Sequence, residues 1–201
     1  MKRSLFILIS ITITLGVCAS PAFAVSQAEQ TRLSTIISRG DQEIQRRLTA
    51  LNAAAKTLAQ TEKLSATDKQ TLTDEINTTI SGLTTLKAKL DADTTLADAR
   101  VDAKSIVTGY RVYALVLPKV RLVKVADGQI ALESKFEELS ATFLHRFAEL
   151  KSAGQDVSAL EAALSNMNMK TQSAQEVSTA VQAKVISLQP SDYNSDHTIL
   201  V

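Results

Sequence analysis

Two histidines, His145 and His197, and one cysteine, Cys18, are all the imidazole and thiol that the 201 residues offer. A hydrolytic triad needs a nucleophile, a base and a group that orients the base, and a zinc centre needs closely spaced nitrogen or sulfur donors. Neither is expected from this set, so the catalytic, cofactor-binding and metal-ligating residues are read as none. His145, between Leu144 and Arg146, reads as a boundary residue on a helix. Asp192-x-Asn194-x-Asp196 repeats the first three oxygen ligands of a calcium loop, but His197 stands where that loop needs glycine. Its twelfth position would fall past Val201, so an Asx-rich turn is expected instead.

Binding chemistry is scarcely richer. Lys104, Arg111, Lys119, Arg121 and Lys124 are the one local excess of positive charge. At ~100° per helical residue the first three share one side and the last two point away, so solvated, snorkelling side chains are expected rather than a nucleic-acid face. Tyr110 and Tyr113 flank Arg111 and could stack a ligand, yet their spacing first makes them core or seam residues. Arg39-Gly40-Asp41 spells an adhesion tripeptide inside a helical stretch, where Gly40 serves close helix approach. Asn77-Thr78-Thr79 is a glycosylation sequon, a commonplace triplet.

Around these residues, the composition selects the elements. Hydrophobic residues make up 45% of the chain but aromatic ones only 4%, and tryptophan is absent, which suits helices packed through Leu, Ile, Val and Ala. Six glycines, never closer than 19 residues, exclude a glycine-rich phosphate loop, and three prolines are too few for a sandwich or barrel. The N-terminus reads as an export signal: Lys2-Arg3, a 13-residue apolar run from Leu5 to Val17, and the small-x-small site Ala22-Phe23-Ala24. That run is shorter than the roughly 20 residues that span a bilayer, so cleavage after Ala24 is expected and no transmembrane segment in the mature chain. Val17, branched and bulky before Cys18, argues against lipid attachment there. With Lys2 and Arg3 removed from 22 basic residues, against 21 acidic, the mature charge is −1, which favours neither nucleic acid nor an anionic membrane.

Apolar periodicity then divides residues 25–189 into an all-α, elongated antiparallel bundle, coiled-coil-like, of four to five long helices, followed by a tail at 190–201. Leu33, Ile37, Gly40, Ile44, Leu48, Leu51, Ala55 and Leu58 recur at three and four, a helix of about 35 residues. A capping box at Thr67 and Gln70 opens a second helix along Leu72, Ile76, Ile80, Leu83, Leu86 and Leu90, antiparallel to the first. After a break at Asp91 to Thr95, with Thr95 and Asp98 as cap, a third stripe runs from Ala99 through Ile106, Tyr110 and Tyr113 to Leu117. Past Pro118 two rules conflict. Asp127-Gly128 among β-branched residues is a hairpin signal, whereas Leu132, Phe136, Leu139, Phe143, Phe147 and Leu150 continue a heptad; a helix is preferred, because a lone hairpin finds no other strands. Gly154 reads as its stop, Ser158 with Glu161 as the next capping box, and Val157, Leu160, Leu164, Met167, Ala174, Val181, Val185 and Leu188 as the last seam. Polar Thr171 and Ser178 interrupt that seam, which is therefore expected to be partly buried or to accept a partner.

The segments SRGDQEIQRRLTALN, KSIVTGYRVYALVLPKVRLV and LQPSDYNSD together resemble a group of uncharacterised, exported, predominantly helical proteins of small-genome bacterial lineages. The resemblance spans most of the mature chain and implies export and a helical 104–125, with no activity attached. The resulting expectation is a non-enzymatic extracytoplasmic spacer or protein-interaction module of the bacterial cell envelope, located in the periplasm, at the surface or outside. A protein partner or self-association would use Val181 and Val185 together with Tyr110, Arg111 and Tyr113. The alternative is a small-ligand or lipid carrier lined by Tyr110, Tyr113 and Phe143, although a small-molecule ligand is not the leading expectation.

Overall fold

The computed structural model describes residues 26–200, and among these every regular element is helical. The segment read as an export signal and Cys18 lie outside the described residues. The order is α1 (Gln27–Ala59), α2 (Ala66–Asp91), α3 (Leu96–Thr108), a π-turn (Val112–Val116), α4 (Leu117–Ser152), α5 (Ser158–Ile186) and α6 (Pro190–Ser195). Four of them are long, at 33, 26, 36 and 29 residues for α1, α2, α4 and α5. The segment over which a hairpin competed is helical throughout, because α4 runs unbroken past Asp127 and Gly128.

Helix α1 begins on a reciprocal cap: Glu29 donates its backbone N–H to Ser26 Oγ at 3.3 Å and its carboxylate accepts the Ser26 N–H at 3.1 Å. The start of α2 corrects the sequence reading. Its cap is Ser65, whose Oγ accepts the Asp68 N–H at 3.1 Å, while Gln70 turns instead to Asp74. The deciding bond is remote: Asp127 of α4 accepts the Ser65 N–H at 2.7 Å and fixes where the helix can start. Thr95 caps α3 as expected, accepting from Asp98 at 3.2 Å.

The third stripe does not stay on one helix. It stops at Thr108, and Arg111 adopts left-handed dihedrals, φ 44° and ψ 37°, before the π-turn leads into α4. A non-glycine residue pays roughly 1–2 kcal/mol for that conformation. The break lets Val112 and Val116 enter the same core as Ile106, and the C-terminal tail braces it. Arg111 Nε donates to Asn194 Oδ1 at 2.6 Å, the Asn194 amide donates to the Thr108 carbonyl at 2.9 Å, and the guanidinium lies 5.3 Å from the Tyr193 ring. The segment after Pro190 is thus a docked element rather than a loose tail, and Leu200 packs on the core.

Gly154, at φ +79°, ends α4 where expected, in a Schellman motif: Gln155 N–H reaches the Leu150 carbonyl and Gly154 N–H reaches that of Lys151. The capping box at Ser158 and Glu161 does not form. Asp156 accepts the Ser158 N–H at 2.9 Å, and Glu161 is drawn away by Lys151 at 2.9 Å across the turn.

Two packing units result. The body joins α1, α2, α3, the first part of α4 and the end of α5 around Ile44, Leu51, Leu72, Ile76, Leu83, Leu90, Ile106, Val123 and Val185. Lys87 to Asp41 at 2.8 Å and Lys69 to the Ala59 carbonyl at 2.7 Å mark α1 and α2 as antiparallel. A Cβ on Gly40 would sit 2.4 Å from Leu90 Cδ2, so the glycine does allow the close approach that its sequence context suggested. The second unit is an arm. Helix α4 is about 54 Å long at 1.5 Å per residue. Its distal part packs with α5 around a small separate core of Phe147, Val157 and Leu164 with Leu150 and Met167.

Candidate functional site

Middle positions of the arm are packed in an unusual order. The α4 residues turned inward there are polar, Glu133 and Ser140, both buried, while the heptad Leu132, Phe136, Leu139 and Phe143 is 46%, 37%, 41% and 38% exposed. At ~100° per residue Glu133 and Ser140 lie about 90° and 70° from the centre of that stripe, so α5 covers its flank rather than its crest. Opposite them α5 offers Ser178, whose hydroxyl is 3.4 Å from Glu133 Oε1, and the half-buried Thr171. The other carboxylate oxygen of Glu133 is buried and without a hydrogen-bond partner. Polar side chains therefore occupy the seam between the helices, and large apolar ones stand beside it.

Both helices contribute to the same apolar side. Phe143 and Phe147 of α4 share a groove of about 270 Å³ with Leu160, Ala163, Leu164 and Met167 of α5. The two phenyl rings stack with centroids 6.0 Å apart. A separate recess of the arm is polar, lined by Glu137, Ser140, Asn168, Thr171, Gln172 and Gln175. The arm is thus amphipathic as a unit: one face of Leu, Phe and Met, another of carboxylates and amides. Such a contiguous face is larger than scattered surface leucines would explain.

The residues singled out from sequence fall in different environments. Val181 is 40% exposed near the base of the arm, but Val185 is buried in the body core, which corrects its assignment as a partner contact: its side chain already packs within the chain. Tyr110 is half-buried over Gly82, where a Cβ would meet its ring at 2.6 Å, and burial raises its hydroxyl pKa. Tyr113 is half-exposed, 5.2 Å from the Arg47 guanidinium. Arg111 is engaged by the tail. Tyr110, Tyr113 and Phe143 do not converge: Phe143 lies in the arm groove, and Tyr110 borders a cleft with Glu75, Thr79 and Pro190. The lining expected of a carrier is therefore not assembled.

Lys119 overturns the reading of a solvated basic face. It is fully buried, and its ammonium donates to both oxygens of Glu75, at 2.8 and 2.9 Å, and to the carbonyls of Ile186 and Leu188. A lysine here neutralises a carboxylate and the carbonyl-rich end of α5 together, which ties α2, α4 and α5. The oxygen-bearing side chains of the tail are also locally engaged: the carboxylates of Asp192 and Asp196 accept from Gln189 N–H and Thr198 N–H, and the Asn194 amide oxygen accepts from Arg111. Bonds to Thr198 hold the Asp196 carboxyl below its usual range. Among the described residues no group of three or more His, Cys, Asp or Glu side chains is placed to hold a metal ion, and no helix is long and apolar enough to cross a membrane. His145 is exposed, with Nδ1 3.6 Å from Glu149.

No family model, curated protein or solved structure matches the chain. The functional reading therefore stands on the geometry. The sequence shows the Leu132–Phe143 stripe as a heptad on a helix but not which way it faces. The available signal was the polar interruption of the facing seam by Thr171 and Ser178, since a helix pair whose mutual seam is polar leaves its apolar stripes free.

Proposed function

We propose that the protein is a non-enzymatic interaction module of the bacterial cell envelope, exported by its N-terminal segment, whose working surface is the apolar face of the α4–α5 arm. One observation carries the reading: Leu132, Phe136, Leu139 and Phe143 stand in line and half-exposed on a stretch of α4 whose buried positions, Glu133 and Ser140, are polar. Leaving large apolar groups exposed to water is unfavourable by about 25 cal/mol per Å² left uncovered, so such a line points to a surface that is covered when the protein works. The body supplies anchorage and the arm supplies reach. Tyr113 lies outside this face, whereas Val181, exposed near the base of the arm, extends it on α5.

The test compares contact with folding. Phe136→Ser with Phe143→Ser is expected to abolish site-specific photo-crosslinking from Leu139 in intact envelopes while leaving the helical circular dichroism and melting temperature of the purified protein in place. Crosslinks that persist with an intact fold would contradict this assignment.

A further inference from the structure

We infer that the occupant of the arm's apolar face is a second copy of this chain, docked antiparallel with α4 against α4. The inference rests on the interaction-module reading and names its partner. Three observations lead to it.

The first is shape. Two antiparallel helices with one shared apolar side are half of a four-helix bundle, and the groove formed by Phe143, Leu160, Ala163 and Met167 shows that the two stripes open to the same side. The second is area. Leu132, Phe136, Leu139, Phe143, Leu160 and Val181 are 37–47% exposed. At roughly 70 Å² of exposed surface each they present on the order of 400 Å² per copy; with apolar atoms making about 60% of an interface, two copies bury ~1,300 Å², within the stable class.

The third is charge order. At ~100° per residue Lys135 and Glu149 fall on the outer edge of the α4 stripe, about 70° and 110° from its centre, one positive and one negative. A two-fold axis crossing α4 at Thr142 places Lys135 opposite Glu149 of the second copy, a pair that the symmetry makes twice. It also sets each Leu139 beside the other copy's Phe143. Within one copy Arg146 already meets Glu149 at 2.5 Å, so docking extends an existing pair into a network. One feature opposes the arrangement: Lys170, on the outer edge of α5, approaches its own counterpart near the axis. An exposed like-charge contact is weak beside the apolar burial, and it supplies a further handle.

Sedimentation equilibrium of the purified protein over a concentration series tests the proposal. Twice the chain mass is expected, reverting to a monomer in Leu139→Asp with unchanged circular dichroism. Lys135→Glu and Glu149→Lys should each weaken dimerisation about tenfold, their combination should restore it, and Lys170→Gln should tighten it. A monomer at every concentration overturns the inference, as does a dimer indifferent to Leu139→Asp; a double swap without rescue overturns the antiparallel register. Flotation of a monomer with phosphatidylglycerol vesicles would show lipid as the occupant and likewise overturn it. A monomer whose Leu139 still crosslinks to a different envelope protein would sink self-docking alone and leave the interaction module standing.

Discussion

Lys119 and Glu75 show how much of this fold depends on single polar contacts. The ammonium is fully buried while Glu75 keeps about a fifth of its side chain exposed, so the two ends of the pair are not equivalent. Lys119→Met lets Glu75 rehydrate but orphans the Ile186 and Leu188 carbonyls; Glu75→Gln leaves a buried cation without its counter-charge. Breaking a buried pair costs about 3–5 kcal/mol, and Glu75→Gln is expected at the upper part of that range with Lys119→Met below it, by urea unfolding. Losses under 1 kcal/mol for both would mean that the lysine is solvated after all. Its partners lie 44 to 69 residues away in sequence, which is why composition and spacing placed it on the surface.

Asp127 gives a pH dependence. Burial is the largest influence on its carboxyl and raises its pKa above the ordinary 3.8; the Ser65 N–H opposes this and the nearby Asp68 adds to it. A carboxyl whose pKa is raised by folding stabilises the fold while protonated and loses that contribution as pH rises through the raised value. The gap in unfolding free energy between Asp127→Asn and the natural chain should therefore shift in favour of the variant as pH rises from about 3 to 7. A gap independent of pH would contradict the buried placement.

Among the elements, α1 and α2 were the most legible. Their stripes, from Ile44 to Leu58 and from Leu72 to Leu90, are buried or half-buried at the positions the period selects, because over those spans each helix faces neighbours. Boundaries were less so: the π-turn answers to where Val112 and Val116 must reach, and Ser65 was chosen as cap by a bond from α4. Glycines separate the two kinds of helix environment. Gly128, inside α4 with nothing within 4 Å of a would-be Cβ, is a site where alanine should stabilise by about 0.5–1 kcal/mol. At Gly40 the same change overlaps Leu90, which is fully buried, and overpacking should destabilise by ~1–3 kcal/mol. Paired thermal melts check both, and equal effects would refute the packing described.

At the scale of the whole molecule, a body with a continuous core carries an arm whose distal core is separate and small. The all-helical class and the long antiparallel elements follow from periodicity, but periodicity reports the spacing of apolar side chains and not what covers them. Leu132, Phe136, Leu139 and Phe143 have the spacing of a core and the exposure of a surface. Whether that stripe faces outward is the claim on which the interaction surface, its partner and the role of the arm all rest. The most direct measurement is the unfolding free energy of Phe136→Gln, Leu139→Gln and Phe143→Gln combined, at a concentration where the chain is monomeric. An outward stripe predicts a total change within about 1.5 kcal/mol, as for surface substitutions. A loss of several kcal/mol per site, the cost of truncating a buried phenylalanine or leucine, would show the stripe to be core and contradict the account.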